Sequence, residues 1–198
     1  MTQTVLQIIR NEHAALAAVL RSLSMMIAHG PGGDPDRFFD VVRAMLFYID
    51  EFPERQHHPK ETELLFPKLL RAAPALAPVI SRLDSDHHDG ERKVRDLQHQ
   101  LLAWELLGET RRESFVASAE EYVRFYLEHM RIEEAQLLPA AERLLTPADR
   151  AELTAAFQRD ADPLAGGSRD PRYERLFTRI VMTAPAPIGV GEALGPSR

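Results

Sequence analysis

Apolar residues recur along the chain in alternating steps of three and four, the period of helices that each bury one face. Over residues 5–28 the stripe runs Leu6, Ile9, His13, Leu16, Leu20, Leu23 and Ile27, and Gly30-Pro31-Gly32-Gly33 ends it. A second helix opens at Asp34-Pro35-Asp36, an acidic cap with a first-turn proline, and turns Phe39, Val42, Leu46 and Ile49 inward. Pro53 should interrupt or kink it. Beyond the proline the same steps bring in His57, Glu61 and then Leu64 or Leu65. A third helix over 78–107 carries Ile80, Leu83, His87, Gly90, Val94, Leu97, Leu101 and Trp104 on one stripe. The fourth, over 110–145, carries Phe115, Ala119, Tyr122, Tyr126, His129, Glu133, Leu137 and Ala140. Four long amphipathic helices with short links predict an all-α fold, an up-down-up-down antiparallel four-helix bundle spanning residues 1–145.

The remainder reads as an extension. Thr146-Pro147-Ala148-Asp149 caps a short helix to about Gln158, and Asp162-Pro163 with Gly166-Gly167 makes a loop. Asp170-Pro171 opens a last amphipathic helix with Tyr173, Leu176, Phe177 and Ile180, so that the helical extension covers 146–182. Residues 183–198, dominated by Pro, Gly and Ala, are expected to form a flexible tail.

Six polar residues interrupt the apolar stripes: His13, His57, Glu61, His87, His129 and Glu133. His57-His58-Pro59-Lys60-Glu61 recurs in outline as His129-Met130-Arg131-Ile132-Glu133, with both His and both Glu 72 positions apart, and His13 precedes His87 by 74. A single His-x-x-x-Glu is usually an exposed pair supporting its helix, and a lone core His is usually just hydrogen-bonded. Repetition on inward faces points elsewhere. At i and i+4 a His and a carboxylate lie one turn apart on one face and can reach the same ion. Two hairpins, each supplying one lone His and one His-x-x-x-Glu, would converge inside the bundle. Four imidazoles and two carboxylates there are costly to bury unless something compensates them, and a pair of transition-metal ions does so. The His-rich donor set suits iron, with manganese or zinc as alternatives, and lacks the Glu-x-x-His of ferritin-like sites.

Composition narrows the rest. A net charge of −6 offers no basic stripe for nucleic acid. No apolar run is long enough to span a membrane, and residues 1–10 lack the pattern of a signal peptide, so a cytoplasmic location is expected. With no cysteine, thiolate metal sites, iron–sulfur clusters and cysteine nucleophiles are excluded, and any metal must be held by His, Asp and Glu.

The set His13, His57-x-x-x-Glu61, His87, His129-x-x-x-Glu133, flanked by Phe52-Pro53 and Leu65-Phe66-Pro67, resembles the hemerythrin-like (HHE cation-binding) family over about residues 5–145. The resemblance implies a non-haem di-iron centre with carboxylate and oxo or hydroxo bridges, and oxygen, peroxide or nitric oxide as small-molecule partners. The chain departs from the oxygen carriers of that family. They have His-x-x-x-His where His87 is followed by Glu91, and His-x-x-x-x-Asp where this chain offers Glu133 at i+4 and Glu134 at i+5. Glu133 is the candidate, because i+5 turns a helical side chain away from His129. That balance is closer to family members linked to sensing, repair or peroxide breakdown. The readings are therefore a di-iron protein with catalase- or peroxidase-like turnover, an iron or oxygen sensor or iron-handling protein acting through a partner, or a structural bundle with zinc or no metal.

Five further residues border the expected site. His58 and His88 fall off the inward register and read as solvated or supporting groups; Glu91 reads as a supporting group or labile ligand. Tyr122 and Tyr126 read as core packing, with a hydrogen bond to the site as the alternative.

Overall fold

The computed structural model of the chain describes residues 3–159, 162–166, 173–184 and 189–191. Thr4 accepts from the Gln7 N–H to start α1 (Val5–His29), and Gly30, at φ 77°, closes it. Asp34 caps α2 (Pro35–Ile49) by accepting from the Arg37 N–H. Beyond the short helical turn Pro74–Leu76 comes α5 (Ala77–Leu107), ended by Gly108 at φ 87°. The fourth long helix begins with α6 (Arg112–Ile132). Neighbouring contacts run α1 to α2, α2 to α5, α5 to α6 and α6 back to α1, which closes an antiparallel four-helix bundle. Among the described residues there is no strand, and no helix is long and apolar enough to cross a membrane.

The second helix differs from expectation at its proline. Pro53 does not interrupt it: the chain stays helical from Pro35 to Ala72 by winding into wide π turns over Asp50–His57 and again over Glu61–Leu65, separated by α3 (His58–Lys60) and followed by α4 (Phe66–Ala72). The hydrogen bonds show the widening. The His58 N–H reaches the Pro53 carbonyl, and the Phe66 N–H reaches that of Glu61, each five residues back instead of four. Proline has no N–H, and its ring crowds the carbonyl four residues earlier, so a widened turn relieves both problems. The fourth helix repeats the device: α6 passes through a π turn at Glu133–Leu137 into α7 (Leu138–Leu144), with Pro139 just beyond.

The bundle interior is layered. One apolar cluster gathers Leu20, Leu23, Phe38, Phe39, Trp104 and Phe115, and another gathers Ile9, Leu65, Phe66, Leu83, Leu137 and Phe157. The polar stripe residues lie between these layers. Outside the bundle, α8 (Pro147–Arg159) packs on α1 and sends Phe157 into the second cluster, and α9 (Glu174–Thr183) packs on α2 through Phe177 and Ile180. Asp170-Pro171 and Gly167 lie outside the described residues. So does most of the expected tail. Of it, Val190 and Gly191 bond back to the carbonyls of Val181 and Ala184 at 2.7 and 3.0 Å.

Candidate metal centre

All six stripe residues meet in one layer. Glu61 and Glu133 are wholly buried, and His13, His57, His87 and His129 are nearly so. Glu61 stands between the two halves. One of its oxygens lies 2.9 Å from His57 Nε2, and the other lies 3.4 Å from His87 Nε2. Glu133 Oε2 lies 3.4 Å from His13 Nε2 and 3.9 Å from His129 Nε2. Among the described residues, donor atoms within 4.8 Å of one another form two groups, one of His13, His57 and Glu61, the other of His58, Glu61, His87 and His129. Glu61 belongs to both.

His58 is the correction. Its expected place was off the inward register, yet it is only 4% exposed and its ring stacks on His87 at 4.2 Å. The π turns explain the difference. With more than four residues per turn each residue rotates the chain less than in an α-helix, so the residue one place after the α-register position is carried inward. The same rotation buries Leu65 and leaves Leu64 partly exposed. His88, on the regular α5, does face outward, where its Nδ1 donates to the Asp84 carbonyl at 2.8 Å. Glu91 is half-buried at the mouth of the centre and pairs with Arg95 at 2.5 Å. Tyr122 and Tyr126 are buried and both donate to Glu54 Oε1.

An outer set of partners was missed by sequence reasoning. His13 Nδ1 meets Glu134 at 3.1 Å, His57 Nδ1 meets Glu12 at 2.6 Å, and His58 Nδ1 meets Glu54 at 3.0 Å. His87 Nδ1 meets Thr62 Oγ1 at 2.9 Å, and Thr62 in turn donates to Asp84. Asp86 lies 3.5 Å from His129 Nδ1. His13, His57, His58 and His87 thus each have a hydrogen-bond partner at the outer nitrogen and Nε2 left for the interior, whereas His129 Nδ1 faces Asp86 without a hydrogen bond. Such partners fix the tautomer and orient a ring for metal ligation. The signal was present in part, since Glu12 and Asp86 each immediately precede an inward His and Thr62 and Glu134 each immediately follow an inward Glu.

Charge in this layer is unbalanced. Among the described residues, both oxygens of Glu61 and of Glu133, and Nε2 of His57, His87 and His129, are buried without a hydrogen-bond partner; the 2.9 Å approach of His57 to Glu61 lacks hydrogen-bond geometry. Burial raises a carboxyl, but the charge and contacts of His57 outweigh it at Glu61 and hold that group well below its usual range. At Glu133 burial wins, aided by the negative charge of Glu61, and the group is raised. Burial lowers His58 well below the ordinary imidazole value, reinforced by His87 and His57; it lowers His87 as well, against the pull of Glu61. These two imidazoles are therefore neutral at pH 7, the form that binds metal. At His13 burial is outweighed by Glu133 and Glu134, which lift it to about 9, and at His57 by Glu61 and Glu12. Four unpartnered carboxylate oxygens and inward nitrogens in a dry layer fit a bound cation, with which protons compete for the same nitrogens.

Fold and donors together define a cation-binding four-helix bundle. The chain belongs to the hemerythrin family: the profile described as Hemerythrin HHE cation binding domain matches residues 4–141. No curated protein matches the chain significantly.

Proposed function

We propose that the chain holds two iron ions between its hairpins and engages a small oxygen-derived ligand there: dioxygen, peroxide or nitric oxide. Glu61 carries the two-ion reading, since its two oxygens face His57 in one donor group and His87 in the other. On this reading His13 and His57 serve one ion, His87 and His129 the other, and Glu61 and Glu133 span both. Iron at such a centre would supply redox chemistry toward oxygen species. The chain's part is to orient and to exclude water. The outer carboxylates fix the rings, and Tyr122, Tyr126 and the flanking apolar layers keep the surroundings dry. A void of about 20 Å³ beside His13 and His57, bordered by Leu16, Phe52 and Met130, has room for one water-sized molecule. On the other side a wider cleft of about 180 Å³, lined by Glu54, His58, Thr62, His87, His88 and Glu91, leads to the surface.

Iron content per chain after iron-replete expression, read with Mössbauer spectroscopy, tests the proposal. Two coupled ions are expected. Well under one iron per chain, or zinc in its place, overturns it and leaves the structural reading. Peroxide turnover by the loaded protein then separates an enzyme from a binding protein.

One observation favours a second role, iron sensing through a partner. Asp162, in the extension, donates its backbone N–H to Glu12 at 3.2 Å, and Glu12 holds His57. Metal occupancy and the seating of the extension are therefore linked through one carboxylate. Protease sensitivity of the extension that does not respond to iron counts against this role.

A further inference from the structure

The regular α5 offers the centre only His87, since Glu91, one turn on, is tied to Arg95. Four features single out His58 as a further donor. Its outer nitrogen is taken by Glu54, so Nε2 remains for the interior. It shares the 4.8 Å donor group with Glu61, His87 and His129. Its ring is clamped in plane, 11° from His87 on one contact and 5° from Tyr126 on another. Glu54, finally, is not held by chance: it is buried and receives both tyrosine hydroxyls.

The seat for Tyr126 is cut into α5. A Cβ at Gly90 would fall 1.9 Å from the Tyr126 hydroxyl, so only glycine lets that ring reach Glu54. Gly90, Tyr126, Glu54 and His58 form a continuous support that ends at the metal layer.

We infer that His58 is a fifth imidazole ligand, to the ion shared by His87 and His129, and that Glu54 is its positioning residue, seated by Tyr122 and Tyr126. The inference rests on the two-ion reading above.

Anaerobic titration of chelator-treated full-length protein with ferrous iron, joined to a count of imidazoles by X-ray absorption on the loaded protein, tests it. His58→Ala is expected to bind one of the two ions at least about tenfold more weakly and to show one imidazole fewer per ion pair. Added free imidazole should restore both. Glu54→Ala should weaken the same ion by about ten- to a hundredfold, and Glu54→Gln, which keeps an acceptor for His58 Nδ1, should recover most of it. If His58→Ala does not fold, the Glu54→Ala and Glu54→Gln pair reads the same ion. His88→Ala should change nothing. Wild-type affinity and imidazole count in His58→Ala, or in both Glu54 variants, overturn the inference while two ions in the wild type leave the two-ion reading intact. A wild type that takes up no iron overturns the two together.

Discussion

Laid over the hairpin of α5 and the fourth helix, the hairpin of α1 and the second helix repeats the inner layer: His13 on His87, His57 on His129, Glu61 on Glu133. The outer partners follow the same overlay. Glu12 holds His57 as Asp86 faces His129, and Glu134 holds His13 as Thr62 holds His87. Three of the places where the match fails belong together. His58 stands where the other half has Met130, Glu54 where it has Tyr126, and Gly90 where it has Leu16. These three differences act as one device. Gly90 admits Tyr126, Tyr126 bonds Glu54, and Glu54 bonds His58. At the matching end Leu16 and Met130 border the small void. On the two-ion reading, a near-symmetric scaffold would set up two positions for metal, and the asymmetric triple would make them unequal, one richer in donors and the other facing Leu16, Phe52 and Met130.

The largest effect should come from breaking what the halves share. Glu61→Ala removes the one carboxylate common to both donor groups, so both ions should be lost. Glu133→Ala should follow closely, and His88→Ala should keep full iron content. Metal analysis of the three variants checks this ranking. Equal iron in all three would show that the carboxylates do not span the halves.

Chelation probes both halves together. Ligand held at about a thousand times its Kd stabilises a fold by about 4 kcal/mol, which for a chain this size is about 10 °C in Tm. The chelated wild type should lose a shift of that order, and Glu61→Ala should show almost none. Acid should erase the same shift, because protons displace metal from imidazole. Calorimetry with and without iron between pH 5 and 8 reads both effects. A metal-dependent shift that survives acidification would show that imidazoles are not the principal ligands.

Gly90→Ala isolates the asymmetry. Helix propensity alone gains up to about 1 kcal/mol. The Cβ clash with Tyr126, about 1–3 kcal/mol as is typical of overpacking, should outweigh that and leave a net loss of up to about 2 kcal/mol. Leu16→Ala, at the matched place, should instead enlarge the void and cost about 2–5 kcal/mol, without disturbing Glu54. Denaturant unfolding measures the two costs. Weakened iron binding in Gly90→Ala alone would tie the notch to one ion.

How far the sequence could be read depends on helix type. On α5 the inward stripe inferred from spacing and the buried set are the same eight residues, because α5 is regular from Ala77 to Leu107. In the second helix the four stripe residues up to Ile49 are buried, but so are Phe38, Val41, Met45 and Tyr48 outside the stripe, and beyond Ile49 it missed Glu54 and His58. An α-helical register was carried through π turns that periodicity does not reveal. The prolines at 53, 67 and 139 were the available clue, since each lies in or just past a widened turn. Glu54 was illegible for another reason. Its role depends on two tyrosines some 70 positions away, which only the packed bundle brings to it.

The smallest effect concerns the extension, whose Asp162 bonds to Tyr48 and Glu12, both in the hairpin of α1 and the second helix. Asp162 accepts from Tyr48 and from the Leu164 N–H, while its own N–H donates to Glu12. Burial raises its carboxyl from 3.8 to about 6, against the lowering effect of the Tyr48 and Leu164 bonds. A carboxyl raised on folding contributes stability that is complete below its unfolded pKa and lost as pH rises through the folded value. The contact should therefore weaken between about pH 4 and 7, by at most about 3 kcal/mol, or about a hundredfold in the local opening constant. Protection factors of the Asp162 and Leu164 amides, measured on chelator-treated protein, should fall over that range. Asp162→Asn keeps an acceptor for Tyr48 but cannot ionise, and should flatten the profile. The amides that bond only within α5, in the other half, should show no such step. A step of equal size there would mean that the pH response belongs to the whole bundle and not to the Asp162 contact.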